Sequence, residues 1–196
     1  MNKMEMQTTQ VTFEVPTREQ VSEKNQANFD YMVKNYGMVP NLYATFAWND
    51  TALTDYLELQ GRKSTLSTRE REIINLIVSE VNNCDYCRRA HSAVAKMGKL
   101  FNDTQLMEIR KAEITFDPKF KALGQFVKET TIKRGRPSDA TVNALFDAGY
   151  NNANMIDIIM VIGDKIMSNY IHNITHVDIE FPEVETVFRE WQIIPD

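Results

Sequence analysis

Apolar residues recur along the chain at three- and four-residue intervals, and polar or proline-glycine breaks separate the runs, which is the pattern of amphipathic helices. Pro16-Thr17 predicts a helix start running to about Tyr36, with Gly37 as the stop. Pro40-Asn41 opens a second helix through Trp48, and Asn49-Asp50 caps a third that ends near Gly61. Ser67 or Thr68 starts the next, with carboxylates in its first turn and the apolar run Ile73-Ile74-Asn75-Leu76-Ile77-Val78 behind them. Asn83 is the expected N-cap of a helix ending at Gly98, Asn102-Asp103 caps a short one to Ile114, and Asp117-Pro118 begins a longer one to about Arg134. Pro137-Ser138 starts a helix ending near Gly149, and Asn152 leads into the apolar helix Met155 to Ile171. Alternating strand-like segments are scarce. The expectation is all-α: a single-domain helical bundle of about eight or nine helices over residues 16–196, preceded by an extended polar arm at 1–15.

Within this frame one short segment concentrates the chemistry. Asn83-Cys84-Asp85-Tyr86-Cys87-Arg88-Arg89-Ala90-His91 holds both cysteines of the chain and one of its three histidines. On a helix, positions i, i+3 and i+7 share a stripe, so Cys84, Cys87 and His91 stack along one face. Behind the Asn83 cap, Cys84 falls in the first turn, near free backbone N–H groups that favour a thiolate. A helix N-terminus, CxxC spacing and a neighbouring histidine each lower a thiol pKa, from about 8.5 into roughly the 3.5–7.5 range. A disulfide across so short a loop would constrain little of the unfolded chain, so a structural bridge is a poor explanation. Zinc is the serious competitor: Cys84, Cys87 and His91 could supply three ligands, and His172 or His176 a fourth.

Three glutamates, Glu70, Glu72 and Glu80, lie on the helix leading to the cysteines. Glu70 and Glu80 read as solvated charges, whereas Glu72 shares a series with Leu76 and Ser79 beside apolar residues and is a candidate inward carboxylate that needs a partner. The stripe Met155, Ile158, Ile159, Ile162 and Ile166 reads as core or subunit interface. His172 and His176 read as a pair at the end of that helix, and Tyr43, Phe46 and Trp48 as aromatics that could line a pocket.

The run LSTREREIINLIVSEVNNCDYCRRAHSAVAKMG, from Leu66 to Gly98, resembles the signature of the alkylhydroperoxidase D-like (AhpD-like) branch of the carboxymuconolactone decarboxylase family: a glutamate, twelve residues on a CxxC, and a histidine four after the second cysteine. Glu72, Cys84, Cys87 and His91 fit that spacing, and the likeness extends more loosely over residues 40–185. The resemblance implies an AhpD-like helical fold and a peroxidase in which Cys87 attacks the peroxide and Cys84 resolves the sulfenic acid. It makes His91, polarised by Glu72 directly or through water, the acceptor of the thiol proton. It also implies a dithiol reductant such as dihydrolipoamide or a thioredoxin-like protein, no bound cofactor, and a homo-oligomer of dimeric, trimeric or hexameric kind. Tyr86 stands where the best-studied branch often carries a histidine, so the resemblance supplies no further proton relay there. Two other readings remain open. One is a lyase or isomerase of the decarboxylase type using Glu72 and His91 as base and acid, and the other is a non-catalytic zinc or structural CxxC protein.

Charge and composition narrow the context. The chain has 196 residues, 43% of them hydrophobic, enough for one substantial core. With 22 basic and 27 acidic residues the net charge is -5, and the basic run Lys133-Arg134-Gly135-Arg136 is too short to make a nucleic-acid surface. No apolar run approaches the ~18 residues of a membrane span, and no N-terminal signal pattern is present. The expected setting is a reducing cytoplasm, with redox-active cysteines in place of structural ones.

Overall fold

The computed structural model describes residues 12–187. Among them are nine α-helices and no strand: α1 (Glu23–Tyr36), α2 (Asn41–Phe46), α3 (Ala52–Gly61), α4 (Thr68–Val81), α5 (Asp85–Met97), α6 (Asp103–Lys111), α7 (Pro118–Ile132), α8 (Asp139–Asp147) and α9 (Asn152–Thr175). The fold is the all-α bundle expected from the periodicity. Most of the expected arm at 1–15 lies outside the described residues, and 12–15 carry no regular structure.

Caps set the helix boundaries. Ser67, Asn102 and Asn151 each close a capping box with the residue three ahead, and Asp117 accepts from the amides of Lys119 and Phe120. Each such cap is worth about 1 kcal/mol of helix stability. Asn49 serves α3 from two residues before its cap, accepting from the N–H groups of Thr51 and Ala52 at 3.0 Å each.

Two boundaries differ from the sequence expectation. Pro16-Thr17 open only a single 3-10 turn, Arg18–Gln20, because the Gln20 side chain accepts from the Thr17 amide at 2.8 Å and Val21 then runs extended into the core. Ser22 restarts the chain as the cap of α1. Helix α9 continues to Thr175, so His172 lies inside its last turn, and His176 takes a left-handed conformation as its cap.

Helix α4 is the axis of the bundle and packs against α5, α6, α7 and α9. Its Ile73, Ile74, Leu76, Ile77 and Val78 are almost fully buried in the larger of two cores, together with Leu123, Val127, Leu145 and Ile158. The second core joins α1, α2 and α3 around Phe29, Met32, Leu42 and Leu53, and it includes Cys84, Tyr86 and Cys87. Buried Asn25 ties α1 to the turn after α2 by donating to the carbonyls of Ala47 and Asn49 at 3.1 and 3.0 Å. The start of α5 thus lies at the seam between the two cores.

Glu70 and Glu80 correct the expectation of solvated charges. Glu70 is buried, bonded within its capping box and to the Tyr150 hydroxyl at 2.8 Å. Glu80 is fully buried and accepts from the Arg110 guanidinium at 2.5 Å, with Arg88 at 3.7 Å. The helix is enclosed on nearly every face, so its carboxylates find internal cations where a surface helix would find water. Within the α9 stripe Ile158 and Ile162 are buried, while Ile159 is 41% exposed.

Removing the Glu80 carboxylate takes away the anion closest to the buried Arg110 guanidinium. Glu80→Ala is expected to lower unfolding stability by about 3–5 kcal/mol, measured by urea denaturation with tryptophan fluorescence, while Glu58→Ala on the exposed face of α3 changes it by less than about 0.5 kcal/mol.

Candidate active site

The site is built by a turn. Asn82 ends α4, Asn83 takes the left-handed conformation at φ 51°, and Cys84 becomes the N-cap of α5. Asn83 was the expected cap, but asparagine tolerates positive φ better than most residues, and the tight reversal places it there and moves the cap on by one. Cys84 Sγ accepts from the Cys87 amide at 3.4 Å. Helix α9 holds this turn from outside: Asn82 donates to Asn169 Oδ1 at 3.0 Å, and Asn173 donates to the Asn82 carbonyl at 2.8 Å.

With α4 and α5 folded back on each other, Glu72 and His91 meet directly. His91 Nδ1 lies 2.8 Å from Glu72 Oε2, and Asn75 donates to the other carboxylate oxygen at 3.2 Å. Burial works against the Glu72 charge, but the charge and hydrogen bond of His91, with Lys165 and Asn75, hold its pKa below the usual carboxylate value. An ionised carboxylate only accepts, so His91 Nδ1 carries the hydrogen, and the opposite nitrogen, Nε2, is the one through which the ring gains or loses a proton.

Cys84 and Cys87 are both buried free thiols. They divide the proton unequally. A hydrogen bond from Cys84 brings the Cys87 thiol down to about 6 against the cost of its burial, with Lys165, His91 and Asn169 adding support. Cys84 is pushed upward by the same hydrogen bond and by its own burial. The helix N-terminus had suggested Cys84 as the acidic thiol; in the structure its sulfur gives a hydrogen bond to Cys87, and Cys87 is the thiolate. The Cys87 thiol also lies 4.0 Å from the Ser168 hydroxyl of α9.

Cys87 and His91 open onto a cavity of about 870 Å³. Tyr36, Met38, Leu42, Tyr43, Leu57 and Phe181 make much of its apolar wall. Of the three aromatics singled out from the sequence, only Tyr43 lines it; Phe46 stacks on Tyr56 with ring centroids 4.3 Å apart, and exposed Trp48 donates to the Glu14 carbonyl. A second, smaller cavity of about 270 Å³ lies across the Glu72–His91 pair and is lined by Arg62, Arg71, Asn75 and Asp164.

Two groups escaped the sequence reading. Lys165 is 3% exposed, lines the large cavity beside Cys87, and its charge acts on Cys87, Cys84 and Glu72. Gln60 links Tyr43, Tyr56 and Asp164, accepting from Tyr43 at 2.8 Å and donating to Tyr56 at 3.0 Å and to the carboxylate at 3.3 Å. The available signal was Asp164-Lys165, a charged pair inside the apolar run of α9, which the reading of that helix as plain core passed over.

His172 and His176 do not join the cysteines. His172 is buried against the Tyr86 ring at 5.2 Å with Nε2 near the Val177 carbonyl, and Tyr86 donates to Glu180 at 2.6 Å. Tyr86 therefore ties α5 to the C-terminal segment, and its burial raises its pKa. Among the described residues no three His, Cys, Asp or Glu side chains are placed to hold a metal ion.

Fold and site together define an all-α helical bundle with a CxxC pair at the start of a helix and a Glu–His pair beside it. Residues 49–123, which include all four site residues, match the model of the carboxymuconolactone decarboxylase family. Among solved structures the chain is similar to a peroxidase-related protein from Silicibacter sp. TM1040, with 24% identity, 88% of this chain and 93% of the other covered, and a TM-score of 0.74. It is also similar to an alkylhydroperoxidase AhpD core, a peroxidase-related protein from Ralstonia eutropha JMP134, at 20% identity, 82% and 87% coverage and a TM-score of 0.73. A third is the debrominase Bmp8, at 19% identity, 90% and 94% coverage and a TM-score of 0.70. A cysteine-to-alanine variant of that debrominase was crystallised with 2,3,4-tribromopyrrole. No curated protein matches the chain.

Alkylation by iodoacetamide, followed by peptide mass, should label Cys87 with a rate that rises as pH passes upward through about 6 and is already near its plateau at pH 7.5. Cys84 should stay unlabelled over the same range. Equal labelling with a shared midpoint near 8.5, the value of an unperturbed thiol, would contradict the division of the proton.

Proposed function

We propose that this protein is a thiol-dependent peroxidase that reduces hydroperoxides through its Cys84/Cys87 pair. The observation that carries the reading is the placement of one low-pKa thiol, Cys87, on the wall of a large cavity, with a second thiol hydrogen-bonded to it and the His91–Glu72 pair alongside. The Cys87 thiolate attacks the terminal oxygen of ROOH. The S–O bond forms as the O–O bond breaks, giving Cys87–SOH and RO⁻, which takes up a proton to leave as ROH. Cys84–SH then condenses with the sulfenic acid, forming the disulfide and releasing water, before further oxidation can occur. Glu72 fixes the His91 tautomer, and His91 Nε2 accepts the proton whenever the thiol must be deprotonated again. An external dithiol, dihydrolipoamide or a thioredoxin-like protein, returns the pair to the reduced state, consistent with a reducing cytoplasmic setting.

The debrominase likeness favours a second reading. A cavity of about 870 Å³ walled by Tyr36, Tyr43 and Phe181 has room for a halogenated aromatic ring next to the Cys87 sulfur. Reductive loss of bromide would consume the same dithiol, turning Ar–Br and two thiols into Ar–H, bromide, a proton and the disulfide. Bromide release from a bromopyrrole, compared with turnover of cumene hydroperoxide, separates the two substrates.

The reading as a homo-oligomer is supported by an exposed apolar stripe on α9. Ile156, Met160, Met167, Tyr170 and Ile174, with Gly163 between them, follow alternating steps of four and three residues, the spacing of a helix–helix seam. Among the described residues, no atom beyond the helix's own backbone and the neighbouring residues lies within 4 Å of where a Gly163 side chain would project. Gly163→Arg is therefore expected to leave the monomer folded and to shift the mass in light scattering to the monomer value.

Intact mass before and after one equivalent of hydroperoxide tests the chemistry. The native protein should lose two hydrogens and both free thiols, Cys87→Ser should do neither, and Cys84→Ser should gain one oxygen. Glu72→Gln should slow disulfide formation by about 100-fold, the lower end of the usual contribution of acid–base catalysis. Activity that survives the double variant Cys84→Ser with Cys87→Ser would point to the lyase alternative, and thiols that stay unreactive would overturn the peroxidase reading.

A further inference from the structure

Two carboxylates stand near Lys165, and each already accepts hydrogen bonds from other side chains. Glu72 accepts from His91 and Asn75, and Asp164 accepts from Gln60 through both oxygens at 3.3 and 3.5 Å. Lys165 itself makes no salt bridge and no hydrogen bond with a described residue, although it is 3% exposed. Burying an ammonium without a partner is strongly unfavourable, and most buried lysines respond by losing the proton. Lys165 does the opposite. Its burial disfavours the charge, but Asp164, Cys87, Tyr43 and Glu72 more than offset that and keep it charged. It lines the same large cavity as Cys87.

The ammonium lies on the polar stripe of α9. Asp157, Asp164, Lys165, Ser168, Asn169 and His172 are all buried, at spacings that put Lys165, Ser168 or Asn169, and His172 on successive turns of one face. Ser168 lies 4.0 Å from the Cys87 sulfur, and Lys165 stands one turn before it. The groups that bear charge or protons around Cys87 come from every neighbouring element: Tyr43 from α2, Tyr56 from α3, Glu72 from α4, Cys84, Tyr86 and His91 from the start of α5, and Asp164 and Lys165 from α9. The Tyr43, Tyr56 and Tyr86 phenols are all held above their ordinary values and stay neutral. Glu72 is bonded to His91 and Asp164 to the neutral amide of Gln60, and both carboxylates still act on the ammonium. The Cys87 thiolate is the anion near Lys165 that belongs to the reactive pair.

We infer that Lys165 is a positioning residue for the nucleophile: a buried ammonium that pairs across the cavity wall with the Cys87 thiolate, beside and separate from the Glu72–His91 pair. This rests on the assignment of Cys87 as the reactive thiol and adds a group that neither the spacing of the CxxC segment nor the family resemblance supplies. It also assigns a consequence to oxidation. When Cys87 is consumed in the disulfide its negative charge disappears, so Lys165 is left with Asp164 and Glu72 as anionic neighbours and holds its proton less tightly in the oxidised protein.

The test does not need turnover. In the native protein, in Lys165→Met and in Lys165→Arg, the rate of Cys87 alkylation is followed against pH, with melting temperature and circular dichroism recorded for each. Lys165→Met is expected to move the Cys87 midpoint upward by at least one pH unit and to lower the alkylation rate at pH 6.5 about tenfold, while Lys165→Arg keeps the native midpoint. A Lys165→Met protein that is folded and titrates like the native one overturns the inference. Should Lys165→Met fail to fold, the ¹⁵N signal of the Lys165 ammonium in the native protein decides the matter. A change in that signal tracking the Cys87 midpoint, absent after alkylation of Cys87, supports the pair, and a signal flat across that midpoint overturns it. Failure of the peroxidase reading shows separately, as a native Cys87 midpoint with no disulfide formed on hydroperoxide.

Discussion

Asn82, Asn83 and Cys84 turn α4 directly back into α5, and the tightness of this turn fixes the distances at the site. Because the link is so short, a carboxylate ten residues before it and an imidazole seven residues after it come to lie side by side, at 2.8 Å. The same reversal makes Cys84 the N-cap, so its sulfur is held against the amide of Cys87 one turn later. Had the connection been longer, the Glu72–His91 bond and the unequal division of the thiol proton would each require a separate restraint. Asn169 and Asn173 of α9 provide the external clamp, which is why a helix almost ninety residues downstream belongs to the site.

That clamp places an unusual demand on α9. One face of the helix joins the apolar core through Ile158 and Ile162, another faces the cysteines with a buried polar stripe, and a third is exposed and apolar. Buried polar groups are tolerated only when each finds a partner, and the stripe meets this condition mostly within the protein: Asp157 with Arg62 and Thr65, Asn169 with Ser79 and Asn82, Asp164 with Gln60. Lys165 is the member whose charge is shared between Asp164 and the reactive sulfur. Catalytic chemistry and structural satisfaction are thus joined at one side chain.

A second constraint separates the two cores. The larger core around α4 combines its aliphatic side chains with a cluster of phenylalanines, Phe101, Phe116 and Phe120, whereas the smaller one around α1, α2 and α3 carries the cavity. The cysteines lie in the smaller core, where a cavity can be kept open without hollowing out the aliphatic packing that supplies most of the stability. Tyr86 illustrates the cost of closing that side: its ring packs on His172 and Phe181 and its hydroxyl is bonded to Glu180, so the C-terminal segment is recruited to seal the edge of α5.

Local sequence was sufficient where the deciding physics is local. The helical period, the proline starts, the glycine and asparagine caps, and the spacing of Glu72, Cys84, Cys87 and His91 all depend on residues within a few turns of one another, and they were legible without coordinates. What needed the tertiary structure was every question of which charge meets which. Glu80 looks solvated until Arg110 arrives from α6, Ser67 and Tyr150 enclose Glu70, and Lys165 looks like an interruption in an apolar helix until α9 crosses the start of α5. The residue that caps α5, the thiol that loses its proton and the partner of the buried ammonium are set by contacts between segments far apart in the chain, because the energy of a charge is decided by what replaces the water around it.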